Sequence, residues 1–155
     1  MMNNRQSWLK GDPIPWLLED DNPSVRYFTL TDLLGKKKDI PEVIQAKGDI
    51  LRKGLVPDIL SRQREGGYWE GQDQFYTNKY KGTVWQLIIL AETGATRDDD
   101  IRIQRACEFI LDHSQDRNCY GFSIYHSAKT GGGRPGGVIP CLTGNMVYSL
   151  LRLGY

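Results

Sequence analysis

Three apolar segments stop at glycines set almost equally far apart, and this spacing constrains the chain more than any other feature. The segments end at Gly35, Gly94 and Gly154, separated by 59 and 60 residues. Glycine closes helices because it enters the left-handed region without steric cost. The first segment opens at Asn22-Pro23, a capping residue followed by a proline preset for the first helical turn. Val25, Tyr27, Phe28, Leu30, Leu33 and Leu34 follow, which predicts a helix over Pro23–Leu34. Thr83–Thr93 and Thr143–Leu153 are the second and third. The second is apolar almost all round, so it should be buried on most sides. The last two segments also align residue by residue: Thr83 with Thr143, Leu87 with Val147, Leu90 with Leu150, Ala91 with Leu151. Self-similarity of this kind points to repeated supersecondary units.

Between these lie segments of a different kind. Pro41–Lys53 carries only Val43, Ile44, Ala46, Ile50 and Leu51 as apolar residues, and Pro57–Gln63 continues the helical signal. In Asp98–His113, Ile103, Ala106, Cys107 and Ile110 recur at steps of three and four, which predicts one buried face. Buried and half-buried helices therefore alternate, as two concentric helix layers require. The expectation is an all-α domain over residues 1–155, with no sheet beyond a short hairpin near Tyr120–Tyr125.

The half-buried segments share a second pattern. One copy reads Lys53-Gly54, Ile59-Leu60, Gln63, Gly66-Gly67, Tyr68-Trp69; the other reads Arg105-Ala106, Phe109-Ile110-Leu111, Gln115, Gly121-Phe122. Both resemble the QW repeat of squalene cyclases, and the chain from Pro23 to Tyr155 resembles part of the α/α toroid of terpenoid cyclases and protein prenyltransferases. The first copy matches well; the second has Phe122 directly after Gly121 and no Trp. The segment around residues 23–35, read alone, resembles a HEAT-type helix. The resemblance implies a partial toroid, about two and a half of six helical hairpins, and so an N-terminal half or fragment. It gives Gln63, Gly67, Trp69, Gln115, Gly121 and Phe122 a structural role, tying one hairpin to the next. It also implies an isoprenoid or other hydrophobic ligand, with Trp85, Tyr148, Asn145 and Tyr80 as cavity candidates.

The catalytic parts of that family are missing. Arg97-Asp98-Asp99-Asp100 lacks the first Asp of the cyclase acid motif and opens a helix, where carboxylates suit the N-terminal dipole. Cys141 sits where the prenyltransferase zinc segment would be, but Ile139 holds the Asp position and no His follows. Cys119, His113 and His126 are further weak metal candidates, with no zinc spacing among them. The Gly131–Gly137 loop lacks the Gly-Lys-Ser/Thr ending of a P-loop. The expected function is binding of a hydrophobic ligand without complete catalysis and without a cofactor; the alternative is a half-toroid interaction module.

Charge and cysteines bound the rest. A net charge of +1 gives no reason to expect a nucleic-acid partner. No apolar run reaches the length of a membrane span, and Met1–Pro15 is polar without a signal-peptide core. Three unpatterned cysteines argue against a disulfide framework and for a reducing cytoplasm. The last helix carries Met146, Val147, Tyr148, Leu150, Leu151 and Leu153 around most of its circumference. It should self-associate or bind a partner, with Asn145, Ser149 and Arg152 forming a polar stripe toward a solvated cavity.

Overall fold

A computed structural model describes residues 10–155. They fall into two compact units, one ending at Gly54 and the other running from Leu55 to Tyr155. The protein is mostly helical, with a single two-stranded sheet among the described residues. No helix there is long and apolar enough to cross a membrane. Part of the polar Met1–Pro15 segment lies outside the described residues.

The first unit contains α1 (Ile14–Leu17), α2 (Pro23–Phe28) and α3 (Pro41–Asp49). Asn22 caps α2 as expected, its Oδ1 accepting from Val25 N–H at 3.3 Å. The helix does not run regularly to Leu34. From Thr29 to Leu33 it widens into a π-helical turn. Thr29 Oγ1 donates to Val25 O at 2.8 Å, a carbonyl that also accepts the Thr29 N–H, and Thr31 Oγ1 donates to Tyr27 O at 3.0 Å. Gly35, at φ 64°, ends the turn. α2 packs on α3 through a core that includes Tyr27, Leu30, Val43, Ala46 and Ile50. Arg26 pairs with Asp20, lies 3.8 Å from Glu42 and donates to Leu18 O at 3.0 Å. Lys36 bonds Glu42 and holds its carboxyl below the usual range. α3 stops at Asp49, short of the predicted Lys53, where the Asp49 carboxylate faces Arg52 and Lys53 at 3.7 and 3.6 Å.

The second unit contains α4 (Leu55–Ser61), α5 (Thr83–Ala91), α6 (Ile101–Ser114) and α7 (Pro140–Arg152). α5 packs against both α6 and α7. No residue of α5 is exposed, as its all-round apolar character predicts. α6 is amphipathic in the predicted sense: Ile103, Ala106, Cys107 and Ile110 are fully buried, while Arg105, Glu108 and Asp112 are exposed. Burial pushes the Cys107 thiol up to about 12. Asp100 caps α6, its Oδ1 accepting from Arg102 N–H at 2.8 Å. Gly94 and Gly154 close α5 and α7 at φ 83° and 96°.

α5 and α7 meet at their C-terminal ends. Just past α5, Arg97 N–H donates to Leu153 O at 2.9 Å, and Tyr148 hydrogen-bonds Glu92. The two helices therefore run in the same direction, and their N-terminal ends share the opposite end of the unit. There lie the 68–82 loop, the C-terminus of α6 and the 115–139 loop. The hairpin falls later than the predicted Tyr120–Tyr125: β1 (His126–Ser127) pairs antiparallel with β2 (Gly132–Gly133), His126 opposite Gly133. Gly131, at φ 65°, makes the turn. Residues 115–123 contribute isolated bridges, Gln115 to Phe122 and Ser123 to Val138.

Candidate functional site

The two repeat motifs are built by the same hydrogen bond. Trp69 N–H donates to Thr83 Oγ1 at 3.2 Å, and Phe122 N–H donates to Thr143 Oγ1 at 2.9 Å. Each motif thus hangs its aromatic residue on the first turn of the following buried helix. Both rings are buried, Trp69 at 3% and Phe122 at 2% exposure. The threonines are the pair that the sequence aligns, yet nothing in the sequence identifies their hydroxyls as the acceptors.

In the first motif, Gln63 Nε2 donates to Arg102 O at 2.8 Å and reaches Gly67 O at 3.5 Å. This joins the end of α4 to the start of α6. Trp69 Nε1 donates to Ile59 O at 2.8 Å. Gly67 lies at φ 84°, and a Cβ there would stand 2.5 Å from Arg105 O. In the second motif Gln115 acts through its backbone, accepting from Gly133 N–H at 2.9 Å. The side-chain tie is made by Ser114, whose Oγ donates to Ser123 O at 2.7 Å. Gly121 is buried, and a Cβ there would meet the Val138 side chain at 2.5 Å.

The cavity candidates divide into two places. Trp85 and Tyr80 lie together, ring centroids 5.5 Å apart, with Tyr76 on Trp85 at 5.8 Å. Trp85 Nε1 donates to Tyr76 O at 2.9 Å. Trp85 is half-buried, whereas Tyr80 is exposed. Tyr148 and Asn145 lie on the exposed side of α7. The Glu92 bond raises the Tyr148 phenol above its ordinary value.

The last helix is amphipathic in a way the sequence misassigned in part. Met146, Leu150 and Leu153 are buried, whereas Val147, Tyr148 and Leu151 are exposed at 46%, 48% and 66%. These three form an apolar stripe at helical spacing. The predicted polar stripe does not exist: Asn145 and Arg152 are exposed, but Ser149 is buried at 1%, with an Oγ that has no hydrogen-bond partner. Hydroxyl character suggested solvent, but Ser149 is small enough to sit in the packed face between Met146 and Leu150.

The acidic run is absorbed by structure. Asp99 Oδ2 accepts from Thr96 N–H and Oγ1 at 2.7 and 2.8 Å. Asp100 bonds Arg102, whose side chain holds the carboxyl below its ordinary range. His113 and His126 do come together, centroids 4.9 Å apart, with His113 stacked on Phe109 at 4.0 Å. Their Nδ1 atoms lie 3.1 Å from Phe109 O and His113 O, which assigns the proton to Nδ1 in both rings. Burial, and then the neighbouring His126, lower the His113 pKa. Cys119 and Cys141 are exposed free thiols. Among the described residues no three His, Cys, Asp or Glu side chains are placed to hold a metal.

Comparisons with protein-family models, with curated proteins and with solved structures returned no match to this chain.

Proposed function

We propose that the second unit is a helical-repeat binding module of the prenyltransferase and squalene cyclase type, taking an isoprenoid or other elongated hydrophobic ligand without completing a reaction on it. The observation that carries this reading is the exposed apolar stripe Val147, Tyr148 and Leu151 on α7, a helix that buries Leu142, Met146 and Leu150 on its packed side. Contiguous exposed apolar patches larger than a few hundred Å² mark ligand or interaction surfaces. On the parallel α5, Trp85, Ile88 and Ile89 are half-buried, so that helix also leaves some apolar surface to a ligand. Asp99 and Asp100 are committed to turn and cap bonds, and Asp98 is a solvent-exposed carboxylate 3.8 Å from Arg97. Three free cysteines accord with a reducing cytoplasm. The test is organic extraction and mass spectrometry of freshly purified protein, with a titration of farnesol or geranylgeraniol followed by tryptophan fluorescence. A stoichiometric hydrophobic molecule, or a saturable change lost in Leu151→Lys, is expected. A silent titration and a clean extract would overturn the reading.

A second reading, a protein-interaction module, has its own support. Leu87 and Ala91 on α5 are buried, and their repeat equivalents on α7 are the exposed Val147 and Leu151. The positions that neighbouring helices cover on α5 are therefore open on α7 to a partner helix. Light scattering at micromolar concentration separates the two: a monomer that binds prenyl alcohol supports the first, a defined oligomer dispersed by Leu151→Lys the second.

A further inference from the structure

The net charge of +1 conceals an uneven distribution. Beyond Asp116 the sequence holds Arg117, Lys129, Arg134 and Arg152 and no acidic side chain, while the 68–82 loop carries Glu70 and Asp73 as well as Lys79 and Lys81. Two tyrosines of the second unit share an unusual state. Tyr80 and Tyr120 lie at φ 65° and 58°, and they are 75% and 72% exposed. Non-glycine residues in the left-handed region are strained unless the surroundings hold them there. Packing of these rings does not offset the strain, because they bury so little.

Both are held by buried polar anchors. Gln86, 6% exposed, donates from Nε2 to Tyr80 O at 2.7 Å, and the Tyr80 ring rests on Trp85. Tyr120 sits at the tip of a turn organised by Asp116, 2% exposed. Asp116 Oδ1 accepts from Asn118 and Cys119 N–H at 2.7 and 3.3 Å, and Tyr120 N–H donates to Asp116 O at 2.8 Å. The rings are thus presented to solvent on fixed turns.

The fold brings these turns to one end of the unit. Tyr80 precedes the first residue of α5 by three positions, and the Tyr120 turn is tied by Phe122 to Thr143 in the first turn of α7. α5 and α7 are parallel neighbours, so both turns stand at their N-terminal ends. Lys79 and Lys81 flank Tyr80, and Arg117 begins the Tyr120 turn, its Nη2 donating to Gly131 O at 3.1 Å. All three are exposed, and none forms an ion pair among the described residues.

We propose that this end of the second unit binds single-stranded nucleic acid, with Tyr80 and Tyr120 as stacking platforms for bases and Lys79, Lys81 and Arg117 against the phosphates. Exposed rings beside cations are the chemistry of single-strand binding, because every unpaired base offers a π-face and every link a phosphate. Two platforms on turns at the same end of the unit call for a ligand with more than one base. A duplex hides the faces that these rings would stack on.

The test is fluorescence anisotropy of a labelled oligothymidylate or oligouridylate of about a dozen nucleotides at low salt, where phosphate contacts are strongest. The substitutions Tyr80→Asn and Tyr120→Asn suit the left-handed backbone, so these variants keep or raise the melting temperature. Each is expected to weaken binding about tenfold through the lost stack. Lys79→Gln with Lys81→Gln is expected to flatten the salt dependence. The proposal is overturned by absence of binding, by equal binding of the duplex or of heparin, by variants that bind as wild type, or by uridine monophosphate competing as well as the strand at equal nucleotide concentration.

Discussion

Gly67 and Trp69 are close in sequence and serve the same join by opposite means. Gly67 is needed for what it lacks, since the Arg105 carbonyl occupies the space of a side chain and the backbone is left-handed. Gly67→Ala is expected to cost well above the ~1 kcal/mol of a compatible backbone substitution, whereas Gly136→Ala, which meets open space, should leave the melting temperature nearly unchanged. Trp69 is needed for its bulk and its N–H. Trp69→Ala should cost about 3–5 kcal/mol, as comparable core truncations do, read from denaturant unfolding. An unchanged midpoint would remove the ring's structural role. His113 adds a pH dependence at the same end of the unit. Its folded pKa is lowered from 6.5 by burial and by His126. A base held neutral in the folded state gives stability above its unfolded pKa and loses it as pH falls toward the folded one. The melting temperature should therefore drop as pH falls below about 6.5, and less so in His113→Gln. A proton NMR titration that placed the His113 midpoint above its ordinary value would contradict this.

At the scale of elements, helix identity, caps and glycine stops were legible because each rests on local chemistry, whereas bounds such as the end of α3 at Asp49 were not. Asn22-Pro23, Asp100 and the glycines at 35, 94 and 154 act within a turn or two of themselves. The π-helical turn at Thr29–Leu33 was not legible, because no short-range pattern in the sequence marks it. The polar stripe on α7 failed for another reason: spacing places residues on faces, but only packing decides which face turns inward. Ser149 offers a direct check of that packing. A buried hydroxyl without a partner carries an uncompensated desolvation penalty of about 1–3 kcal/mol. Ser149→Ala should therefore leave stability unchanged or raise it, measured by thermal melting. Clear destabilisation would mean that the hydroxyl has a partner and that α7 is rotated.

For the whole molecule, the all-helical class followed from period and punctuation. The two motif backbones donate to equivalent atoms, the hydroxyls of the aligned Thr83 and Thr143. The candidate site was legible only in part. Of the four cavity candidates, Trp85 and Tyr80 meet, while Tyr148 and Asn145 share the exposed side of α7. The histidine pair and the left-handed tyrosines depend on loop paths, which short-range patterns do not specify. The central claim is that the apolar surface of α5 and α7 is a ligand-binding surface. Hydrogen-exchange mass spectrometry with and without a saturating prenyl alcohol tests it most directly. Slowed exchange in residues 83–91 and 140–152, absent in the Leu151→Lys variant and absent from residues 23–49, is the expected result. Exchange unchanged in both helices, or slowed uniformly along the chain, would contradict the account.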